Sequence, residues 1–339
     1  MKTIYHFSGA GNDFVVIDGR EGDVSAFREV ATIEALCKEY KTDGLMILGR
    51  EMPGQAGHDE NGQAGHDENG QAGHDENGQA GHDEECSAGH DGRASVMADS
   101  DRPSVDFVME FYNPDGSGGM MCGNGGRCIV AFADYLGIRP GERFLHSSGA
   151  RNDSASQVYL FRAPDGLHTG EILGRPEENL WEVRIKMIDV QGITPMLGGY
   201  FLNTGTRHFV KFVEDVEQVD IDTEGRALRW NEAFAPVGTN VNFVHVAPDG
   251  LHVRTFEKGV EGETLACGTG LTASAIAAFY RDSFVGQCPP RNDKTAVIPS
   301  EAKESYRLRA RQDWLSVNFT PGADEKFTDV YLTGPARLL

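Results

Sequence analysis

The sequence has few cysteines, few basic residues and no long apolar run. Six cysteines in 339 residues are too few for a disulfide-stabilised scaffold and suit a reducing compartment. Lysine and arginine number 31 against 52 acidic residues, a net charge of −21, which argues against nucleic acid as a partner because phosphate binding needs basic residues. No apolar segment approaches the roughly 20 residues that span a bilayer, and the N-terminus shows no signal-peptide pattern. We therefore expect a cytoplasmic protein without a membrane partner.

The hydrophobic fraction is low, at 39%, and one segment accounts for much of this shortage. From Glu51 to Ser104 the sequence contains 13 acidic and 2 basic residues, so the segment carries about half of the net charge. Within it, the unit Gly-Gln-Ala-Gly-His-Asp-Glu-Asn repeats from Gly54 and becomes irregular at Cys86. The repeat offers almost nothing apolar to bury, so we interpret residues 51–104 as a low-complexity insert.

Each repeat unit sets a histidine before an aspartate, which raises the alternative of a metal-binding or interaction protein acting through this segment. The histidines are His58, His66, His74, His82 and His90. Nothing in the repeat fixes a coordination geometry. The spacing of Cys122 and Cys128 is also wider than the roughly two to four residues between paired zinc ligands. We therefore expect no metal, and the metal-binding function stays an alternative of a different class.

Hydrophobic periodicity predicts a mixed α and β protein. An amphipathic helix is predicted for residues 25–40, with Val30 on its apolar face, and an apolar helix from about residue 125 to 136, ended by Gly137. Strands are predicted at residues 3–7, 13–18, 44–48, 105–112, 181–188, 208–213, 241–246, 251–256 and 314–319, and a small surface insert at 147–158. In each half, strands lead to a Cys-Gly-x-Gly turn and an apolar helix that needs cover on most sides, so strands are expected to wrap around it.

The two Cys-Gly-x-Gly turns carry the strongest functional signal. They are Met121-Cys122-Gly123-Asn124-Gly125-Gly126 and Ala266-Cys267-Gly268-Thr269-Gly270. At the start of a helix, free N–H groups and the helix dipole can hold a carboxylate and ease the ionisation of a thiol. Two such thiols on opposite sides of one carbon could remove one proton and return another, which inverts a stereocentre without a cofactor.

The other four cysteines are interpreted as bystanders. Cys128, in the apolar helix, is predicted to lie in the core. A disulfide between Cys122 and Cys267 would be an oxidised, inactive form. The bystanders are Cys37, Cys86, Cys128 and Cys288.

Polar loops around the two cysteines suggest a site for a small amino acid. Amides occur in turns at Asn12, Asn113 and Asn240, where their side chains can be presented to a ligand. Glu257 and Lys258 add a carboxylate and an ammonium group shortly before the second cysteine. Together these groups could bind the ammonium and carboxylate groups of an α-amino acid.

With these motifs, the sequence resembles the diaminopimelate epimerase family over nearly the whole chain apart from the two inserts. The family motifs include Gly11-Asn12-Asp13-Phe14, Asn113-Pro114-Asp115-Gly116-Ser117, Phe256-Glu257-Lys258-Gly259 and Leu332-Thr333-Gly334-Pro335-Ala336 besides the two cysteine motifs. The resemblance implies an α+β fold of two similar domains, each a curled, mostly antiparallel sheet around a central helix, with the active site in the interdomain cleft. The implied domains are residues 1–186 with about 328–339, and residues 187–327.

The resemblance also implies the activity, a cofactor-independent inversion of L,L-2,6-diaminopimelate to the meso form in lysine and peptidoglycan precursor synthesis. In this scheme Cys267 accepts the α-proton and Cys122 donates one to the opposite face, supported by His208 and Glu257. The resemblance implies a small-molecule amino-acid substrate and leaves a homodimer open. Positions that match substrate-contacting ones are Asn12, Asn113, Gly123, Asn124, Thr206, Asn240, Glu257, Lys258, Gly268 and Thr269.

Two motif positions depart from the family pattern. Lys258 stands where the family usually has arginine, which keeps the charge but loses the bidentate fork. The family's Gly-Asn-Pro-His is Gly205-Thr206-Arg207-His208 here, so a hydroxyl replaces an amide. Racemisation or epimerisation of another amino acid on the same scaffold is therefore the nearest alternative. The long insert is expected to be tolerated, because each doubling of a loop costs only about 0.6 kcal/mol.

Overall fold

Sixteen strands and four helices form the part of the chain that the computed structural model describes, residues 2–51, 104–118, 121–141, 157–284, 303–311 and 313–339. The helices are α1 (Val30–Tyr40), α2 (Gly123–Tyr135), α3 (Arg226–Arg229) and α4 (Gly268–Phe284). The strands are β1 (Ile4–Gly9), β2 (Asn12–Asp18), β3 (Gly44–Gly49), β4 (Phe107–Tyr112), β5 (Gln157–Ala163), β6 (Gly166–Glu177), β7 (Leu180–Lys186), β8 (Ile193–Met196), β9 (Gly199–Asn203), β10 (Arg207–Phe212), β11 (Asn240–Ala247), β12 (Gly250–Glu257), β13 (Gly262–Thr264), β14 (Glu304–Arg309), β15 (Trp314–Pro321) and β16 (Phe327–Leu338). In these described segments, no helix has the length and apolar character needed to span a bilayer.

The strands form one continuous sheet whose two curled halves, the first and the second sheet, share strand β16. Strands β1 to β7 are neighbours in chain order, β7 pairs with β16, and β16 pairs with β1, which closes a ring. From β16 the second half continues through β15, β14, β12, β11, β10, β9 and β8, and β13 pairs with β12. Most pairs are antiparallel; the parallel pairs include β2 with β3 and β10 with β11.

Strand β16 belongs to both halves. Residues 327–333 pair with β15, whereas residues 334–337 pair with β7 and residues 337–338 with β1. A bridge between Val190 and Phe327 links the segment before β8 to the first residue of β16. The same strand therefore completes the first ring and supports the second sheet.

Each half of the sheet surrounds one helix. In α2, every residue from Gly123 to Ala133 is buried, and in α4 every residue from Gly270 to Tyr280 is buried. A helix that is apolar on nearly all sides must be covered on all sides, which the curled strands achieve. This arrangement confirms the predicted α+β fold with a central helix in each half. Cys128 is fully buried, as predicted. The two domain boundaries stay a prediction.

Helix α1 covers the outer face of the first sheet. Strand β2 alternates its side chains: Phe14 and Val16 join the core around α2, whereas Val15 and Ile17 pack in a second cluster with Ile33 of α1. This two-sided burial explains the continuous apolar run from which the strand was predicted.

The predicted helix at residues 25–40 is wrong in its first part. Ser25–Arg28 form a separate 3-10 turn, and Glu29 is extended (φ −77°, ψ 129°) before α1 begins at Val30. The carbonyl of Glu29 accepts the N–H groups of Thr32 and Ile33, so it starts a new helix instead of continuing the turn. Val30 is 53% exposed and does not lie on the buried face.

The predicted surface insert at residues 147–158 is wrong at its end, because residues 157 and 158 begin β5. Residues 147–156 lie outside the described part. So do the histidine repeat, Cys86 and Cys288. The predicted strands all occur, with ends shifted by a few residues. Strand β5 was not predicted, because its start was assigned to the insert. Strands β6, β8, β9, β13, β14 and β16 were not predicted either, because they are short or carry many polar residues.

Candidate active site

The N-termini of α2 and α4 lie against each other. A Cβ built on Gly268 would lie 3.6 Å from Cα of Gly123. It would also lie 2.9 Å from Cδ2 of Leu332, and a Cβ built on Gly123 would lie 3.0 Å from the same atom. A side chain at either position would therefore have to displace the end of Leu332, and it would fill the remaining space between the two helices. Each glycine directly follows a cysteine, so this contact brings Cys122 and Cys267 together. Both are free thiols.

Cys122 is the N-cap residue of α2. Its Sγ accepts a hydrogen bond from the Gly125 N–H at 3.2 Å, at the positive end of the helix dipole. Burial raises the pKa of the Cys122 thiol, and the Gly125 N–H and the positive charge of Arg127 oppose this rise. The surroundings thus favour a thiolate at Cys122 more than burial alone would.

Cys267 has different surroundings. Burial raises the pKa of Cys267 to about 12, and the negative charge of Glu257 adds to the rise. The carboxylate of Glu257 is only partly buried and accepts a hydrogen bond from Thr264 Oγ1 at 2.8 Å; burial raises the pKa of Glu257 as well. Sγ of Cys267 lies 3.4 Å from Oγ1 of Thr269. At neutral pH, Cys267 is therefore mainly a thiol before substrate binds.

His208, on β10, is fully buried. Its Nδ1 is 3.0 Å from Nδ2 of Asn242, and its Nε2 is 2.9 Å from Oγ1 of both Thr206 and Thr269. The Thr255 hydroxyl donates to Oδ1 of Asn242 at 3.1 Å, which turns the amide nitrogen of Asn242 towards the imidazole. Nδ1 is then the acceptor and Nε2 carries the hydrogen.

Because burial lowers the pKa of His208 to about 3, the imidazole is neutral over the physiological range. Its Nε2–H faces Oγ1 of both Thr206 and Thr269, and the Thr269 hydroxyl is placed where it can donate to Cys267 Sγ. Sequence reasoning missed Asn242. A signal was present, because Asn240 and Asn242 are two residues apart on a strand and share a face.

Asn124 connects the starts of the two central helices. Its Nδ2 donates to Oδ1 of Asn12 and, at 3.1 Å, to the carbonyl of Ala266, the residue before Cys267. Its Oδ1 accepts a hydrogen bond from Arg127 Nη2 at 2.9 Å. The predicted site residues Asn12 and Asn124 therefore lie together beside the cysteine pair. Sequence reasoning also missed Arg127, a buried cation in an otherwise mostly apolar helix.

Asn240 organises the other side of the site. Its Nδ2 donates to Oγ1 of Thr206 at 3.2 Å, and its Oδ1 accepts the backbone N–H of Lys258 at 2.7 Å. The side chain of Lys258 is exposed. Asn113 is the exception among the predicted residues, because the hydrogen bonds found for it in the described structure stay within its own turn, with Ser117.

A metal site is not formed by the described segments, since they contain no group of three or more histidine, cysteine, aspartate or glutamate side chains arranged to hold an ion. The histidines of the repeat fall outside these segments, so the metal-binding alternative is untested.

Known proteins resemble this chain at the level of sequence and of fold. The family profile described as diaminopimelate epimerase matches residues 200–301. The diaminopimelate epimerase of Chlorobaculum tepidum is 30% identical over 97% of this chain and 96% of its own length. That of Flavobacterium psychrophilum is 32% identical over 99% and 97%. A solved probable proline racemase from Agrobacterium radiobacter K84 has a TM-score of 0.54 at 12% identity, over 100% of this chain and 91% of that one, a likeness of fold alone.

Proposed function

Because the chain belongs to the diaminopimelate epimerase family, we propose that it converts L,L-2,6-diaminopimelate into the meso isomer, a precursor of lysine and of peptidoglycan. The observation that supports this most is the contact between Gly123 and Gly268, because it brings the two preceding cysteines to one point. Two thiols at two helix N-termini supply an acid and a base without a cofactor.

The proposed reaction moves one proton away from the α-carbon and another onto it. In the forward direction the thiolate of Cys267 accepts the α-proton as the C–H bond breaks, and the thiol of Cys122 gives its proton to the opposite face. The pair ends with the thiol at Cys267 and the thiolate at Cys122. The reverse reaction starts from that form, and proton exchange with solvent interconverts the two free forms.

Burial of the pair serves this chemistry. A thiol with a raised pKa is a stronger base once it is ionised, although a smaller fraction is ionised. We propose that neutral His208 holds the Thr269 hydroxyl towards Cys267, where its hydrogen stabilises the thiolate. Glu257 opposes ionisation of Cys267 in the free site, and a substrate ammonium group bound to Glu257 would offset that charge.

The substrate carboxylate at the reacting carbon is proposed to bind the first N–H groups of α2 and α4, because helix N-termini attract anions. Those N–H groups belong to Gly123, Asn124, Gly268 and Thr269. The distal end of the substrate is then assigned to the polar groups at the other side of the site. Lys258 would bind the distal carboxylate as a point charge. Glu257 is proposed to bind a substrate ammonium group, and the other proposed substrate contacts are Asn12, Asn113, Thr206 and Asn240.

The test is proton exchange in deuterium oxide. We expect the purified protein to incorporate deuterium at the α-carbon of L,L-diaminopimelate and to produce the meso isomer, as followed by mass spectrometry and chiral chromatography. L-Lysine is the matched control, since it shares the chain length and distal ammonium but lacks the distal carboxylate. Exchange in single-centre amino acids and not in L,L-diaminopimelate would favour the racemase alternative.

The same assay addresses the insert. A chain without residues 54–91 should exchange deuterium at the rate of the full chain, because none of the proposed site residues lies in that segment. Loss of exchange with the fold retained would instead favour a function that depends on the histidine repeat.

A further inference from the structure

Among the described residues, two charged side chains belong to residues that expose less than a tenth of their surface: Arg127 and Arg229. Arg229 has an anionic partner, since its Nη2 lies 3.2 Å from Oε1 of Glu261, and its guanidinium stacks on Trp230. Arg127 is 0% exposed and makes no ion pair with a described carboxylate. This difference requires an explanation, because burying a charge is costly unless an opposite charge is close.

The hydrogen bonds of Arg127 go to neutral acceptors. Nη1 donates to the Gly123 carbonyl at 3.2 Å, Nη2 to Oδ1 of Asn124 at 2.9 Å, and Nε to the Pro335 carbonyl at 3.3 Å. These acceptors satisfy the donors of the guanidinium but carry no negative charge, and the carboxylate that acts on it, Asp313, does so without forming an ion pair. Arginine also does not lose its proton in proteins, so the charge persists.

The position of Arg127 indicates which anion completes the site. Its guanidinium contacts the carbonyl of Gly123, directly after Cys122. Through Asn124 it also reaches the carbonyl of Ala266, directly before Cys267. An acid–base pair of thiols carries one negative charge while it works, and that thiolate would balance the guanidinium.

The second helix start has no such cation. Thr272 occupies the position in α4 that Arg127 occupies in α2, five residues after the cysteine, and its hydroxyl donates to the Gly268 carbonyl at 3.0 Å. The backbone contact is thus reproduced, without the charge. On this side the nearby charged group is the carboxylate of Glu257, which disfavours a thiolate at Cys267.

We propose that Arg127 is the buried counter-charge of the cysteine pair and that it favours the free form with the thiolate at Cys122 and the proton at Cys267. In that form Cys122 is ready to accept the α-proton of the meso isomer. The inference rests on the proposed function only in taking Cys122 and Cys267 as the acid–base pair. Arg127 is a positioning residue that acts through the thiolate.

Two variants separate charge from hydrogen bonding. Arg127→Gln removes the charge and keeps an amide donor, whereas Arg127→Lys keeps the charge and loses the planar fork. The measurement is the rate of iodoacetamide alkylation at Cys122 and at Cys267 against pH, without substrate, with each labelled peptide quantified by mass spectrometry. Arg184→Gln is the matched control, because Arg184 pairs with Glu171 on the first sheet and has no contact with the cysteine motifs.

With Arg127→Gln we expect alkylation of Cys122 to slow by about tenfold at a fixed pH below its pKa, which corresponds to an upward shift of about one pH unit. Alkylation of Cys267 should change less, and Arg127→Lys and Arg184→Gln should keep the native profile of Cys122. An unchanged Cys122 profile in Arg127→Gln, or equal slowing in Arg127→Gln and Arg127→Lys, overturns the proposal.

If Arg127→Gln does not fold, Arg127→Lys decides: a native Cys122 profile supports the counter-charge, and an upward shift contradicts it. Alkylation needs no turnover. If the protein leaves L,L-diaminopimelate unchanged but Arg127→Gln shows the expected shift at Cys122, the proposed substrate is wrong. The proposed role of Arg127 as the counter-charge then still holds.

Discussion

The starts of α2 and α4 are alike in backbone and differ in charge. In both, a glycine follows the cysteine and touches the other helix, and a side chain five residues after the cysteine bonds the carbonyl of that glycine. That side chain is Arg127 in α2 and Thr272 in α4. The repeated backbone explains why two thiols meet, and the different charges explain why they need not share the proton equally.

Features that the two helix starts share and features that differ between them bear on different questions. Motifs common to both halves support the proposed type of chemistry, two-base inversion. Features that differ between the halves are the buried Arg127, which favours a thiolate at Cys122, and Glu257, which disfavours one at Cys267 and also acts on Cys122; they bear on which thiol ionises more readily. Experiments on single residues can test each kind of feature separately.

The largest expected effect comes from removing either thiol. Cys122→Ala and Cys267→Ala should each lower epimerisation of L,L-diaminopimelate by about 10³-fold or more, because each removes one of the two proton-transfer groups. The measurement is the initial rate of meso isomer formation, with thermal unfolding as the control for folding. A variant with a near-native rate would disprove the two-base mechanism, because one of the two helix starts would then supply no proton-transfer group.

A smaller effect is expected from the imidazole beside Cys267. His208 has a pKa of about 3 in the folded protein against about 6.5 in the unfolded chain. As the pH falls below 6.5, the unfolded chain binds a proton that the folded protein does not, so stability is lost by about 1.4 kcal/mol per pH unit until the pH approaches 3. His208→Gln lacks this titration.

The free energy of unfolding in urea therefore should fall less between pH 6.5 and pH 5 in His208→Gln than in the native protein, by about 2 kcal/mol. At pH 7 the variant is expected to be the less stable of the two, because Asn242 and Thr269 lose a hydrogen-bonding partner. Equal declines in the two proteins would show that His208 is not held neutral by burial.

The smallest effect is expected at Glu257. Glu257→Gln removes the negative charge near Cys267, which lowers the pKa of that thiol and raises its thiolate fraction. Iodoacetamide should therefore alkylate Cys267 a few times faster at pH 8, with a smaller gain at Cys122. This is opposite in sign to the change expected for Arg127→Gln. An unchanged rate at Cys267 would mean that Glu257 does not set the charge difference.

The parts of the site close to the cysteines were predictable from the sequence. A Cys-Gly-x-Gly turn followed by an apolar run is a local pattern, and it correctly predicted a helix after each cysteine, although α2 begins at Gly123 and not at about residue 125. Strand alternation could have placed Asn242 on the face of Asn240, but its contact with His208 was not predictable in this way, since it depends on the parallel pairing of β10 with β11, which no local pattern reveals. The same applies to β16, whose polar sequence hides a strand with partners in both halves.

The position of β16 in the chain has a consequence for how the protein is made. Every strand with which β16 pairs precedes it, and the pair of Phe7 with Leu338 joins residues from nearly opposite ends of the chain. During synthesis, β1, β7 and β15 must therefore wait for β16 with unpaired edges, and such edges can associate with other chains. A nascent chain that lacks this strand has an open first ring and a second sheet without its β16 edge, so the two halves are expected to mature together after translation has passed residue 338.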